Sequence, residues 1–248
     1  MKLKCALAVT GLAAAWVTAQ GAAPAKYDPP PRYAGVTASS RYIQSGDGTR
    51  LAITVWRPMK DGQPTQDRLP VIVLQTRSEL PSIPYFVKHG YVVVGQDRRG
   101  TGASFGRQTG FVNPRDVQDA VAVIEWAGSQ PFSNQKVVAM GCSNQGAWQY
   151  VTAAKKPKYL VAIAPACSSP QFFDDAVAIN GVPMFESRET PYAGECPPPG
   201  PAPAGAPRLE PVDTDKDGVL LKSAQEERRC NAVMLGQYYR HMPRDGMN

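Results

Sequence analysis

The sequence predicts an α/β fold with a mostly parallel sheet and helices on both of its faces. Three apolar runs, at 70–75, 91–97 and 159–164, lack the polar alternation of a strand with one wet face, and this is typical of strands buried on both sides. Segments with helical spacing separate the runs, as in a parallel sheet with crossover helices. A further strand-like run at 136–140 leads into a Gly-x-Ser turn and another helix.

Turn and cap signals order the elements along the chain. Residues 41–45 and 50–56 are strand-like and flank a Gly-Asp-Gly turn, which predicts a hairpin. A short helix is expected at 84–89, with Gly90 ending it. The next helix is expected to begin at an Asn-Pro pair, because Asn is a good cap and Pro fits the first helical position. One helix is therefore expected from 113 to 126. Another is expected from 147 to 154, after the Gly-x-Ser turn.

The pattern changes after residue 166. A short helix is expected at 172–178, a Pro/Gly/Ala loop at 191–211 and one long helix at 220–239, and no further buried strand is recognised. These segments predict a helical cap, with the C-terminal part of the sheet missing. The predicted domains are a signal peptide at 1–25, the N-terminal part of an α/β core at 26–168 and a helical cap segment at 169–248.

The stretch with the clearest chemistry is GCSNQG at 141–146. A strand, a sharp turn with a serine and a helix make a nucleophile elbow, which would expose Ser143 above the sheet. The general pattern is G-x-S-x-G, but Gln145 stands at the second glycine position and Gly146 follows one residue later. The alternative is a strand followed by a serine that caps an ordinary helix.

The first residues are typical of a secretory signal. A basic start precedes an apolar stretch at 5–17, and small residues follow at usable cleavage positions. The alternative is a retained membrane anchor, but the stretch is short for a span. We therefore expect a secreted or periplasmic protein without stable membrane insertion. The net charge of +6 is diffuse, so nucleic acid is not an expected partner.

Four cysteines follow the predicted signal peptide. Cys196 and Cys230 lie in a Pro-rich loop and a polar helix and are our candidates for a disulfide, since export permits one. Cys142 and Cys167 lie at the ends of apolar strands and are expected to be buried. No cysteine spacing predicts a zinc site, and no cofactor or metal is expected.

The acidic stretch DTDKDG at 213–218 fits the first half of a calcium loop. Position twelve of such a loop carries a bidentate glutamate, and Ala224 stands there. The alternative is an acidic loop that caps a helix beginning near Val219. Whether Asp213 to Asp217 bind calcium stays open at this point.

Four stretches of the sequence carry further information: GYVVVGQDRRGTGAS at 90–104, EW at 125–126, QPFSN at 130–134 and PACSS at 165–169. In combination they resemble motifs of the X-Pro dipeptidyl-peptidase and cocaine esterase type (CocE/NonD) hydrolases. The resemblance implies an α/β-hydrolase fold with a helical cap, and hydrolysis of esters or amides, including Xaa-Pro dipeptides, through a serine ester. It implies Ser143 as nucleophile and the backbone N–H of Asn144 as an oxyanion donor. The expected partner is a small ester, amide or short peptide.

The chain departs from the family's pattern in three places. Leu80 replaces a tyrosine that would help bind the oxyanion, and Asn144 replaces the usual tyrosine beside the serine. The catalytic Asp and His should follow the cap, yet only His241 lies downstream and its surroundings resemble a cap segment. Nothing marks one of the downstream acids Asp174, Asp175 and Asp245 as the orienting carboxylate. We therefore expect a serine hydrolase by lineage, and two alternatives stay open: a truncated chain that is inactive alone, and a non-catalytic secreted binding protein.

Overall fold

A computed structural model describes residues 28–78, 80–108, 114–171, 178–179, 182–183 and 209–231. The signal peptide predicted at 1–25 lies outside these residues. Within them no helix combines the length and the apolar character that a membrane crossing needs.

The described chain begins with four strands, and from residue 69 to residue 166 strands and helices alternate. The strands are β1 (Gly35–Gln44), β2 (Arg50–Lys60), β3 (Gln63–Pro64), β4 (Leu69–Leu74), β5 (Val92–Gln96), β6 (Ser133–Cys142), β7 (Leu160–Ala166), β8 (Ala178–Ile179) and β9 (Val182–Pro183). The helices are α1 (Ser82–Lys88), α2 (Pro114–Ser129), α3 (Asn144–Ala154) and α4 (Val219–Glu227), and a 3₁₀ helix (Arg228–Cys230) follows α4.

The main sheet has the order β1-β2-β5-β4-β6-β7, with β3 on the outer end of β2. Strands β5, β4, β6 and β7 run parallel to one another, while β2 is antiparallel to both β1 and β5. The predicted α/β class and the predicted hairpin are both confirmed. The hairpin strands are longer than expected because the register continues from Gly35 opposite Met59 to Gln44 opposite Arg50.

Helices cover both faces of the sheet, as predicted. Val71 and Val73 of β4 point to one face, where they pack in a cluster with residues of α2. Ile72 of the same strand points to the other face and packs with Ile83 and Val87 of α1. This alternation along β4 explains why the strand reads as a continuous apolar run.

Strand β7 does not have the burial that its sequence predicted. Most of its residues are exposed, and the side chain of Val161 is 59% accessible. Within the described chain, β7 pairs only with β6, so one of its edges carries no hydrogen-bonded neighbour. The apolar run at 159–164 therefore predicts the strand correctly but not its burial. Burial depends on neighbouring segments, and the sequence of the strand does not specify them.

The segments after the sheet differ from the prediction in two respects. Helix α4 ends at Glu227, whereas one helix was predicted over 220–239, and residues 232–239 lie outside the described range. The chain leaves the helix because Asn231 has extended backbone and its side chain binds a loop, donating to the carbonyl of Gly100 at 2.8 Å. The paired strands β8 and β9 also occur where no further strand was predicted, and Ala178, which was expected to be helical, begins the first of them.

Candidate active site

The turn at Ser143 lies at the edge of the sheet where the parallel strands end. Ser143 follows β6, so the residues after β4, β5 and β7 share this edge with it. His89 precedes β5 and therefore lies at the opposite edge. It occupies the C-cap of α1, where its Nδ1 is 2.6 Å from the carbonyl oxygen of Tyr85. His89 is thus placed as a helix-end residue, away from the serine.

Ser143 has the geometry of a strand-turn-helix elbow. Its backbone has φ 59° and ψ −126°, and its side chain is exposed. Its N–H donates to the carbonyl of Ala166 at 2.9 Å, while its own carbonyl accepts from Gly146 at 2.9 Å and Ala147 at 3.0 Å. The hydroxyl makes no capping hydrogen bond to α3. The hydroxyl of an ordinary capping serine accepts a hydrogen bond from a backbone N–H in the first turn of the helix. The absence of this bond contradicts the capping alternative.

The displaced glycine of the elbow has a steric reason. A Cβ on Gly146 would lie 2.3 Å from Oγ of Ser168 and 2.8 Å from the carbonyl oxygen of Ala166. The first turn of α3 therefore passes directly against the end of β7. A Cβ on Gly141 would lie 2.6 Å from Cβ of Gln145. Both glycines permit close approach, and Gln145 fits at the usual glycine position only because Gly141 has no side chain.

The side chain of Gln149 connects the elbow to the sheet through hydrogen bonds. Its side chain is buried on α3, and its amide donates to the carbonyl of Gln145 at 3.0 Å and to that of Gly141 at 3.3 Å. Its amide oxygen accepts from the N–H of Ala164 at 3.0 Å. One side chain thus joins β6, α3 and β7. Sequence reasoning missed this residue, since a glutamine on a helix carries no signal of burial.

The backbone N–H of Asn144 is the candidate oxyanion donor. Asn144 is the first residue of α3, and N–H groups in the first turn of a helix have no acceptor within that helix. Leu80, at the position of the family's tyrosine, packs against the apolar cluster around α1 and offers no donor. Arg77 is occupied elsewhere, because it donates to Asp97 at 3.1 Å and to Thr54 at 3.0 Å.

No acid–base partner for Ser143 is placed within the described residues. His241 and the acids Asp174, Asp175 and Asp245 all lie outside them. In the same ranges, no three His, Cys, Asp or Glu side chains come together in a way that could hold a metal ion. The described part of the site therefore consists of Ser143, the candidate nucleophile, and the start of α3.

Cys142 and Cys167 flank the elbow and are both exposed, contrary to the predicted burial. Cys142 is the last residue of β6, and Cys167 follows β7, so both lie where the strands end. The neighbouring Cys167 thiol raises the pKa of the Cys142 thiol above its usual value. The two thiols are therefore neighbours at the sheet edge that carries Ser143. The predicted Cys196–Cys230 pairing lies outside the description, since Cys196 is not described.

The loop after β5 has a structural rather than a chemical role. The carboxylate of Asp97 accepts from the N–H of Ala103 at 2.9 Å. The hydroxyl of Ser104 donates to the carbonyl of Asp97 at 2.6 Å and accepts from the N–H of Ala52 at 2.8 Å. Gly102 has φ 52°, and a Cβ there would lie 2.1 Å from Oδ2 of Asp97. The segment 90–104 therefore ties the end of β5 to β2.

Two arginines of this loop hold α2 through buried ion pairs. Arg99 contacts both carboxylate oxygens of Asp119 at 2.8 Å, and its other nitrogen contacts Asp47 in the β1–β2 turn at 2.9 Å. Arg98 lies 3.2 Å from the carboxylate of Asp116. Burial raises the pKa of Asp116 to about 6, although Arg98 acts in the opposite direction. Ion pairs thus connect the loop after β5 to the β1–β2 turn and to α2.

The raised pKa of Asp116 predicts a stability loss between about pH 4 and 6. The folded chain binds a proton at Asp116 more tightly than the unfolded chain does, so folding becomes less favourable as pH rises from 3.8 to about 6. This difference corresponds to on the order of 3 kcal/mol. We expect Asp116→Asn to lack this loss, so that the variant gains stability relative to the unsubstituted chain across the window. Urea unfolding at pH 4, 5, 6 and 7 measures it, and a constant difference between the two proteins would contradict it.

The carboxylates in the acidic loop before α4 accept hydrogen bonds from other groups of the protein. Asp215 is buried and accepts from the N–H groups of Leu220 at 2.9 Å and Leu221 at 2.8 Å, at the start of the helix. Asp213 accepts from the hydroxyl and the N–H of Ser40, both at 2.8 Å. These contacts favour the helix-capping alternative over a calcium loop.

Comparison with known proteins gives the chain a family. The profile of the X-Pro dipeptidyl-peptidase (S15) family matches residues 47–193, which is more than half of the chain. A Mycobacterium bovis protein named as a serine esterase is 30% identical over 196 residues, covering 69% of this chain and 30% of the relative. Cocaine esterase from a Rhodococcus species is 32% identical over 143 residues, covering 55% of this chain and 24% of that enzyme.

Among solved structures, a CocE/NonD family hydrolase from Staphylococcus aureus matches with a TM-score of 0.44 and 23% identity, covering 52% of this chain and 30% of that one. The chain therefore spans about a third or less of the length of these relatives. The family match covers the elbow, the loop after β5 and strands β2 to β7 of the sheet. The chain belongs to the X-Pro dipeptidyl-peptidase (S15) family, the CocE/NonD group of α/β-hydrolases.

Proposed function

We propose that the protein hydrolyses esters or amides through an acyl intermediate on Ser143. The observation that carries the proposal is the exposed serine at a strand-turn-helix elbow, whose hydroxyl is left free by the helix it precedes. Family membership supports the same reaction class, and the matched relatives named as esterases make esters the first substrates to test.

The reaction that this site would support has two acyl transfers. Oγ of Ser143 attacks the substrate carbonyl, its proton passes to a base, and the alcohol or amine leaves with a proton. Water then attacks the serine ester and releases the acid, which regenerates the serine. The N–H of Asn144 would bind the oxyanion that forms in both transfers. None of the described residues is placed as the base, and His241, which lies outside them, is the candidate within this sequence.

We expect Ser143→Ala to abolish labelling by a fluorophosphonate probe. Removal of an activated nucleophile typically lowers reactivity by several orders of magnitude, on the order of 10⁴ or more. The measurement is the labelling rate of the purified chain, with Ser129→Ala as the matched control because Ser129 is an exposed serine at the far end of α2. Labelling should be lost in Ser143→Ala and retained in the control.

Other results would point elsewhere. Equal labelling of the Ser143→Ala variant would show that a different side chain reacts and would refute the assignment. Absence of labelling in the unsubstituted chain would favour the alternative of a non-catalytic binding protein. Recovery of labelling on addition of a polypeptide with the family's later strands would instead show that the base is supplied in trans.

A further inference from the structure

The ends of β6 and β7 bring two exposed thiols together beside the elbow. Cys142 is in register with Ala166, and Cys167 follows one residue later. Neighbouring strands lie about 4.8 Å apart and residues rise about 3.3 Å along a strand, so the two cysteine Cα atoms are roughly 6 Å apart. Disulfides need a Cα separation between about 4.4 and 6.8 Å. The backbone spacing therefore suits a bridge.

The orientation of Cys167 also suits a bridge. In a regular strand, the residue after Ala166 would point to the opposite face from Cys142. Cys167 instead has φ 52°, which breaks the alternation at the end of the strand. Its thiol is near enough to the Cys142 thiol to raise the pKa of that thiol. Both thiols are free and exposed, so an oxidant can reach them.

We propose that Cys142 and Cys167 are a disulfide-forming pair that reversibly staples the ends of β6 and β7 on either side of Ser143. A low-molecular-weight disulfide such as oxidised glutathione would be the oxidant. The thiolate of one cysteine attacks it and releases one glutathione thiol. The second cysteine thiolate then attacks the mixed disulfide and releases the other. One protein disulfide forms, and the two electrons and two thiol protons of the cysteines pass to the oxidised glutathione, which becomes two thiols.

The staple would act on the least supported strand of the sheet. In the described chain β7 has a hydrogen-bonded neighbour on one side only, so a covalent link to β6 would constrain it. The Ser143 N–H bond to Ala166 spans the same two strands. The redox state of the pair would therefore set how firmly the turn at Ser143 is held. The proposal does not depend on whether Ser143 is catalytic.

Peptide mapping of the full chain tests the proposal. The chain is equilibrated with graded ratios of oxidised to reduced glutathione, alkylated and digested with trypsin without reduction. Cys142 then lies in peptide 137–155 and Cys167 in peptide 159–188, while Cys196 and Cys230 fall in peptides 189–208 and 230–240. We expect peptides 137–155 and 159–188 to become linked as the ratio rises and to separate on reduction.

Thermal unfolding provides the second measurement. The melting temperature of the oxidised chain should exceed that of the reduced chain by at least about 3 °C, because a cross-link restricts the unfolded state. Cys167→Ser, treated in the same buffers, should lose this difference and retain only what other cysteines contribute. The proposal is overturned if Cys142 and Cys167 stay free, carry glutathione separately, or link to peptide 189–208 or 230–240.

Discussion

Replacing Arg99 by methionine is expected to destabilise the chain by about 3–5 kcal/mol. Arg99 is 4% exposed and binds Asp119, which is 1% exposed, through two contacts of 2.8 Å. Removing the guanidinium leaves a buried carboxylate with only the hydroxyl of Ser45 as a described partner. An uncompensated buried charge is the costly part of the substitution, because methionine preserves most of the side-chain volume.

Urea unfolding at pH 7 measures this loss, and Asp47→Asn is the matched control. Asp47 binds the same guanidinium at 2.9 Å, but its side chain is 38% exposed, so water can replace the contact. We expect a loss of under about 1 kcal/mol for that variant. The hydrogen bond from Arg99 also holds the pKa of Asp47 well below its usual range, and that pKa should rise in Arg99→Met. Equal losses for the two variants would contradict the importance of the buried pair.

Gly146→Ala is expected to cost about 1–3 kcal/mol and to reduce probe labelling of Ser143. The added Cβ would meet Oγ of Ser168 at 2.3 Å and the carbonyl oxygen of Ala166 at 2.8 Å. The hydroxyl of Ser168 can rotate away. The carbonyl of Ala166 is held in place, because it also accepts a hydrogen bond from the N–H of Ser143. Relief of the clash must therefore move α3 or the end of β7, and either movement disturbs the elbow.

The matched control for this substitution is Gly46→Ala in the β1–β2 turn. No atom lies within 4 Å of the position that a Cβ would take on Gly46. We expect its stability to stay within about 0.5 kcal/mol of the unsubstituted chain, with unchanged labelling. Adding Ser168→Gly to Gly146→Ala should recover part of the loss. Full stability and full labelling in Gly146→Ala alone would show that the helix and β7 are not in tight contact.

Local pattern predicted most of the fold. Strands β4 and β5 were recognised because each is buried on both faces, and α2 was recognised from its Pro start and its apolar spacing. Helix α3 begins at Asn144 rather than three residues later, since the sharp turn at Ser143 leads straight into it. The burial of β7 was predicted wrongly because strand sequence reports propensity, whereas burial depends on which other segments lie beside the strand.

The site was predictable only in its local part. Ser143 and the N–H of Asn144 follow from a contiguous motif, and their placement in a strand-turn-helix agrees with it. The Gln149 bridge and the proximity of Cys142 to Cys167 depend on how β6 and β7 register, which no local pattern encodes. Acid and base residues of such a site come from distant loops, and sequence order alone does not position them.

The backbone at Ser143 has a consequence for the stability of the chain. With φ 59° and ψ −126°, the residue adopts a conformation that glycine enters freely and that costs other residues on the order of 1–3 kcal/mol. A glycine here, as at the turn positions Gly48 and Gly218, would avoid that cost. Serine is therefore the less stable choice for this backbone, so stability alone does not account for the hydroxyl at the tip of this turn.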